Sequence, residues 1–392
     1  MPMPEVMSTV DSTKAPMLPF ENACANRMSH AIQAKAAGQK VIGFVGNTVP
    51  VELILATGMM PCRLAPTEGD LSASDQYVES FADPDVRQVF QMYRTGQLDM
   101  LDMLIIPRSS EAHHKLYLML RESNRVGLAH GKPPLFLYEI LHTQRESSRL
   151  YGVQRTQELW QALRQLSGET LAEVASVNHA IRLKNTQRGL LRQLHQLRWE
   201  YKISSIDALQ ASVAVQFMTL AEGTRALEAL VAQASPVKEL GLNFLVRGVP
   251  NDQMKLHAAL AQLNVNVLAE DDDWGARAGL FPIVEDDFNP IEKVFEHYWR
   301  DVPCARKFPV DDSWFLDKVQ KPEVDGVVFY LPEPEDVYGW SYPADLKVCR
   351  QHGKQSVLVR APSNNPQAMM DQLKSQLDVI QAVRSSANLA PR

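Results

Sequence analysis

Short runs that are apolar almost throughout, rather than at every second residue, recur along this chain. They are VIGFV (41–45), a short run near 61–64, MLIIP (103–107), PLFLYEI (134–140), NFLVRG (243–248), VNVLAE (265–270), GVVFYL (326–331) and SVLVR (356–360). A strand that is apolar on both faces must be covered on both faces, which points to a parallel sheet flanked by helices. Helical patterns separate the runs at 75–95 (Phe81, Val86, Val89, Phe90, Tyr93), 111–123, 251–263, 289–300, 343–352 and 366–383. The alternation predicts an α/β protein with two doubly wound parallel-sheet domains of flavodoxin or Rossmann type.

Between 154 and 233 the strand signal vanishes, and three amphipathic helical stretches take over, with starts expected near Glu169-Thr170 and Ser204-Ser205. The chain therefore divides into a flexible tail and N-terminal helix (1–39, the helix over 20–38 closed by Gly38), a first α/β domain (40–150), a helical connector (151–236) and a second α/β domain (237–392). At 392 residues more than one core is expected. No G-x-G-x-x-G or GxxxxGK[ST] follows any strand, so nucleotide-binding fingerprints are absent.

A net charge of −6 argues against a nucleic-acid surface, which needs clustered Lys and Arg. The basic stretch 182–202 reads most simply as a solvated helix face and alternatively as a patch for CoA phosphates or an acidic partner. The longest apolar runs are too short to span a bilayer, and the first sixteen residues lack a signal-peptide pattern, so a cytoplasmic location is expected. Cys24, Cys62, Cys304 and Cys349 lie far apart with no CxxC, which predicts free thiols and no zinc ribbon. Cys62 and Cys349 are expected in the core, and Cys304 as a buried structural thiol.

Several segments resemble the 2-hydroxyacyl-CoA dehydratase and benzoyl-CoA reductase family, in order, from about residue 40 to 360. KVIGFVGNTVPVELI looks like the family's VPEELI segment, with Glu52 at its glutamate. DMLDMLIIPRSSEAHH is similar to the strand ending in IP. NHAIRL resembles the NENR segment, with Asn178 and Arg182 as the matching residues. VLAEDDDWGARAG carries a D-x-x-x-G-x-R pattern at Asp271, Gly275 and Arg277. DGVVFYLPEPEDVYGWSYP follows the signature DGVI…FCDP…YP. The resemblance implies an iron–sulfur cluster held by three cysteines, electron delivery from an ATP-driven activator, and a heterodimer of related subunits acting on acyl-CoA thioesters. In this chain the three ligand positions are Gly46, Ser110 and Glu335. Glycine has no ligand atom, and serine and glutamate offer oxygen where iron in a cluster takes thiolate.

The three positions fall just beyond strand ends, where doubly wound sheets bind ligands. Glu335 and Ser110, with Glu333, Asp336 and Glu111 nearby, could form an acid–base couple or hold a hard divalent ion, though an ordinary acidic loop is the simpler reading. One of His113 and His114 could face the cleft. Glu52 suits a helix N-terminus, and Arg277 could pair with a carboxylate or a CoA phosphate. Trp340 and Tyr342 are expected to pack around the third loop. The first expectation is a cluster-less subunit working with a cysteine-bearing paralogous subunit and an activator. The rivals are a non-redox acyl-CoA-binding or regulatory protein and a repurposed enzyme using Glu335 and Ser110.

Overall fold

The computed structural model describes residues 16–389, apart from 66–68, 80–83, 129–132, 169–173, 305, 308–311, 334 and 336. Most of the expected N-terminal tail, Phe81, the helix start at Glu169-Thr170 and Asp336 lie outside the described residues. The first sheet holds β1 (Val41–Phe44), β2 (Met60–Arg63), β3 (Met103–Pro107) and β4 (Leu135–Tyr138) in the order β2-β1-β3-β4. The second holds β5 (Leu242–Gly248), β6 (Val265–Glu270), β7 (Gly326–Tyr330) and β8 (Gln355–Val359) in the order β6-β5-β7-β8. Every pairing within both sheets is parallel. The two sheets share one topology, with the order reversing between β1 and β3 in one and between β5 and β7 in the other.

Uniform apolarity of the strands has the expected consequence, because each sheet is covered on both faces. On the first sheet Ile42, Phe44 and Ile105 pack with Leu159, Val177, Phe295 and Trp299. The alternate residues Val41, Leu104 and Ile106 pack with Val86, Phe90, Leu116 and Leu120. On the second, Phe244, Val267 and Val357 meet Leu256, Leu260 and Leu373, while Leu245, Val327 and Phe329 meet Phe315, Val319 and Cys349. Cys62 and Cys349 are buried in these cores. The helix Pro290–Arg300, which follows β6, leaves the second sheet and covers the first. It approaches the helix Glu146–Ser167 so closely that a Cβ on Gly152 would lie 2.2 Å from the Phe295 ring.

Some helix boundaries differ from the sequence reading. The stretch 20–38 is two helices, Leu18–Ala25 and Ser29–Ala36, with Gly38 just past the second at φ +84°. Among the described residues of 75–95 the helix covers Pro84–Arg94, and the first residues form turns. A short helix, Ser313–Val319, was not expected; only Trp314 to Leu316 and Val319 give it an apolar pattern. Ser204 does begin a helix, accepting the Asp207 N–H at 3.0 Å.

The helix Val174–Trp199 joins the two halves. Its 26 residues correspond to about 39 Å of axis. Within 182–202 one face is exposed, as a solvated helix face requires, but two of the arginines turn inward. Arg188 is buried against Glu52 of the helix Val51–Ala56, beside the first sheet. Arg198 is buried against Glu270, the last residue of β6, with bonds of 2.6 and 2.9 Å. Arg192 donates to the Gly279 carbonyl at 2.7 Å, and only the flanking Arg182 and Lys202 keep exposed partners. Carboxylates carried by other elements neutralise Arg188 and Arg198, which therefore point into the protein rather than to solvent.

Glu270 also lies 2.6 Å from His257 Nε2 and accepts the Ala276 N–H. Burial alone would raise its carboxyl, but Arg198 first, then His257, hold it well below the ordinary carboxylate range. Removing one member of such a pair strands a charge in the core. Arg198→Met is therefore expected to lower unfolding stability by about 3–5 kcal/mol in a denaturant titration, and Arg198→Met with Glu270→Leu to recover most of it. A single-variant loss below about 1 kcal/mol would contradict this role.

Candidate functional site

The loop after β1 turns at Gly46, whose φ of +67° favours glycine. A Cβ there would lie 2.9 Å from His113 Cε1 and 3.3 Å from Ser109 Oγ. The next residue, Asn47, donates from its amide to the Pro303 carbonyl at 2.8 Å, fastening this loop to the chain that follows the helix Pro290–Arg300.

The loop after β3 leads into the helix Glu111–Arg125, and Ser110 is its N-cap, with Oγ accepting the His113 N–H at 3.1 Å. Of the two histidines, His113 faces the Gly46 loop, with Nδ1 2.8 Å from Ser109 Oγ. Glu111 pairs outward with Arg306.

Cys304 lies between these loops. Its thiol donates to the Ser109 carbonyl at 3.2 Å and sits 3.5 Å from His142 Nε2. Burial pushes the Cys304 thiol up to about 11. Burial, then Arg306 and Lys307, pushes His142 down to about 4. The pair is thus a neutral thiol beside a neutral imidazole. His142 escaped the sequence reading although it follows a strand end, the one signal that could have found it.

After β7, Glu335 Oε1 accepts the Tyr338 N–H at 2.6 Å, and its carbonyl accepts from Arg360 at 3.2 Å. The Tyr338 phenol is raised by burial and then by Asp273, Cys304 and Glu335, which places the third loop beside Cys304. Glu333 lies 3.8 Å from Arg360. Gly46, Ser110 and Glu335 therefore belong to one region, linked through His113, Ser109, Cys304 and Tyr338. Tyr342 packs edge-on against Phe329, but Trp340 is 86% exposed, so its expected packing role is corrected. It stands on a short 3₁₀ turn that directs it outward.

The remaining sequence candidates serve buried bonds. Glu52 accepts from Arg188 and from the Tyr298 hydroxyl at 2.9 Å. Burial alone would raise its carboxyl, but Arg188, then His297 and Lys184, hold it below its ordinary value. Asp271 pairs with Arg277 at 2.8 Å and with Arg247. Gly275 allows close approach, since a Cβ there would lie 2.2 Å from Glu270 Oε2. Asn178 bonds the backbone of Asp286, and Arg182 pairs with Glu285. Asp272, unnoticed in the DDD run, has its carboxyl raised well above the ordinary range by burial, then by Glu270 and Asp273. Beneath the Gly46–Asn47 loop lies a cavity of about 130 Å³ lined by Lys184, Arg188, Asp273, Arg277, His297 and Tyr298, among others.

The model of the 2-hydroxyglutaryl-CoA dehydratase D-component family matches residues 47–379. The chain belongs to this family. It is 25% identical over 281 residues to the beta subunit of (R)-2-hydroxyglutaryl-CoA dehydratase from Acidaminococcus fermentans, covering 70% of this chain and 73% of the relative. It is 20% identical over 354 residues to the (R)-phenyllactyl-CoA dehydratase beta subunit of Clostridium sporogenes, covering 86% and 90%.

The donor set does not fit the iron–sulfur cluster that the family resemblance implies. Gly46 has no side chain and no room for one unless His113 moves, Ser110 caps a helix, and Glu335 supplies oxygen. The nearby thiol of Cys304 is held protonated. Among the described residues, no group of three or more His, Cys, Asp or Glu side chains is placed to hold a metal ion.

Two outcomes follow from this geometry. Gly275→Ala is expected to cost about 1–3 kcal/mol, read as a lowered thermal midpoint, because the Cβ displaces the Glu270 carboxylate; an unchanged midpoint would remove that role. His142, and His195, which burial followed by Arg198 pushes down to about 3, are neutral in the fold. Their folded values lie below the unfolded one, so their contribution is complete above about pH 6.5 and is lost as pH falls towards 4, with a slope of about 1.4 kcal/mol per pH unit for each. Denaturant titrations across this range should show a shallower slope for His142→Gln; an identical slope would contradict the assignment.

Proposed function

We propose that this chain is a subunit of a 2-hydroxyacyl-CoA dehydratase-like complex in the cytoplasm, acts on acyl-CoA thioesters, and carries no iron–sulfur cluster of its own. The observation that carries this reading is the combined fate of the three ligand positions. The family scaffold is kept across both sheets, while Gly46 accommodates His113, Ser110 caps a helix and Glu335 orders the Tyr338 turn. Loss of all three sulfur ligands within an intact scaffold fits loss of the electron-carrying role alone. The relatives in Acidaminococcus and Clostridium are beta subunits, which supports a partnered chain.

In this reading a cysteine-bearing paralogous subunit, served by an ATP-dependent activator, performs the redox step, and this chain shapes the thioester side of the shared site. Glu52, Asp271, Gly275 and Arg277 keep the walls of the cleft in place, and Ser110 and Glu335 fix the loops at its mouth. No helix of the described residues is long and apolar enough to cross a membrane.

The test is an anaerobic dehydration assay with a 2-hydroxyacyl-CoA, a reductant, ATP and activator. The chain purified with its paralogue should turn over, and neither chain alone should. Turnover by the paralogue without this chain would overturn the proposal.

A further inference from the structure

The cavity beneath the Gly46–Asn47 loop contains a cation with no salt-bridge partner among the described residues. Four cationic side chains line it, and three have carboxylate partners. Arg63 meets Asp273 at 2.7 Å, Arg188 meets Glu52, and Arg277 meets Asp271. Lys184, on the helix Val174–Trp199, has none among the described residues, and its ammonium donates to the neutral Gln187 Oε1 at 2.6 Å. Gln187 is itself fully buried, and its Nε2 finds no acceptor. His297, which also lines the cavity, is matched by Asp301 at 3.1 Å. The Lys184 ammonium is therefore bonded directly only to a neutral side chain, with Glu52 acting on it at longer range.

The shape narrows the choice. At roughly 30 Å³ per water, about 130 Å³ has room for about four waters. Much of the wall is apolar, with Phe44, Val49, Leu191, Val215, Leu280 and Phe281 contributing. A short hydrocarbon ending in a carboxylate matches both the apolar part of the wall and an ammonium that has no salt-bridge partner among the described residues. We propose that this cavity binds a short-chain carboxylate, with Lys184 as the residue that pairs with its charge. The ligand is either a free short-chain acid or the far carboxylate of an acyl thioester; the second source rests on the proposed function, the first does not.

The ionisation of Lys184 gives a signature that a merely structural lysine lacks. Burial first, then Arg188, pushes its ammonium down to about 8; Glu52 opposes the shift and Arg63 adds to it. A bound carboxylate favours the charged form, so binding above pH 8 takes up a proton, and affinity falls about tenfold per pH unit there.

The experiment is calorimetric titration of the full chain with butyrate, then with succinyl-CoA and butyryl-CoA in competition. The wild type should bind butyrate at pH 7; Lys184→Gln should weaken binding about tenfold or more, and Lys184→Arg should retain most of it. At pH 8.5 the heat in buffers of different ionisation enthalpy should show proton uptake, a wild-type measurement that decides the matter should Lys184→Gln fail to fold. Displacement of butyrate by succinyl-CoA but not by butyryl-CoA assigns the site to a thioester tail. Butyrate binding without displacement assigns it to the free acid. No binding of either carboxylate by the wild type, equal binding by Lys184→Gln, or no proton uptake overturns the proposal. None of these readouts depends on dehydratase turnover, so this inference and the proposed function fail separately.

Discussion

Two buried guanidinium–carboxylate pairs on one helix hold the molecule in register. Arg188 reaches Glu52 at the edge of the first sheet's core, and ten positions later Arg198 reaches Glu270 at the end of β6 in the second. About 15 Å of helix separates the two arginines, so a rigid rod fixes the distance between the sheets. Burial makes each pair demanding, because an ion left without its partner in the core costs several kcal/mol. The same demand makes each pair specific: Glu270 accepts from both arms of Arg198, His257 and a backbone amide, which leaves little freedom for the β6 loop.

The cleft follows from that framework. The loops after β1, β3 and β7 all leave strand ends at or beside the switch points of the two sheets, where ligands bind in folds of this kind. Holding the sheets in register brings these loops together around Cys304 and Tyr338. What the loops present there is closed chemistry: a capped helix, a bonded carboxylate, a protonated thiol and a neutral histidine. Deeper in, Lys184 lines the cavity without a salt-bridge partner among the described residues. In the proposed function this cleft binds and shapes the substrate, and electron transfer draws on ligands from a partner.

The strands were legible in the sequence because apolarity on both faces is a pattern that few other structures require, and the loop positions could be read because they follow those strands. The buried ion pairs were not legible. Arg188 and Arg198 sit in a stretch dense with Arg, Lys and Gln, and their partners lie 136 and 72 residues away. Charge composition cannot show which arginine points inward, so the stretch read as a solvated face. Asp272 was hidden in an acidic run that resembled a surface loop, and Lys184 in a basic one. Trp340 misled in the opposite sense, since an aromatic residue beside a core strand reads as buried until the 3₁₀ turn is seen to direct it outward. His142 was accessible in principle from its place just past β4.

The central claim, that the three family ligand positions have become structural and hold no cluster, is tested most directly by measuring iron and acid-labile sulfide on the isolated full chain purified without oxygen. The account predicts no more than trace amounts of either. Iron and sulfide near cluster stoichiometry in the isolated chain would contradict it and return redox chemistry to this cleft.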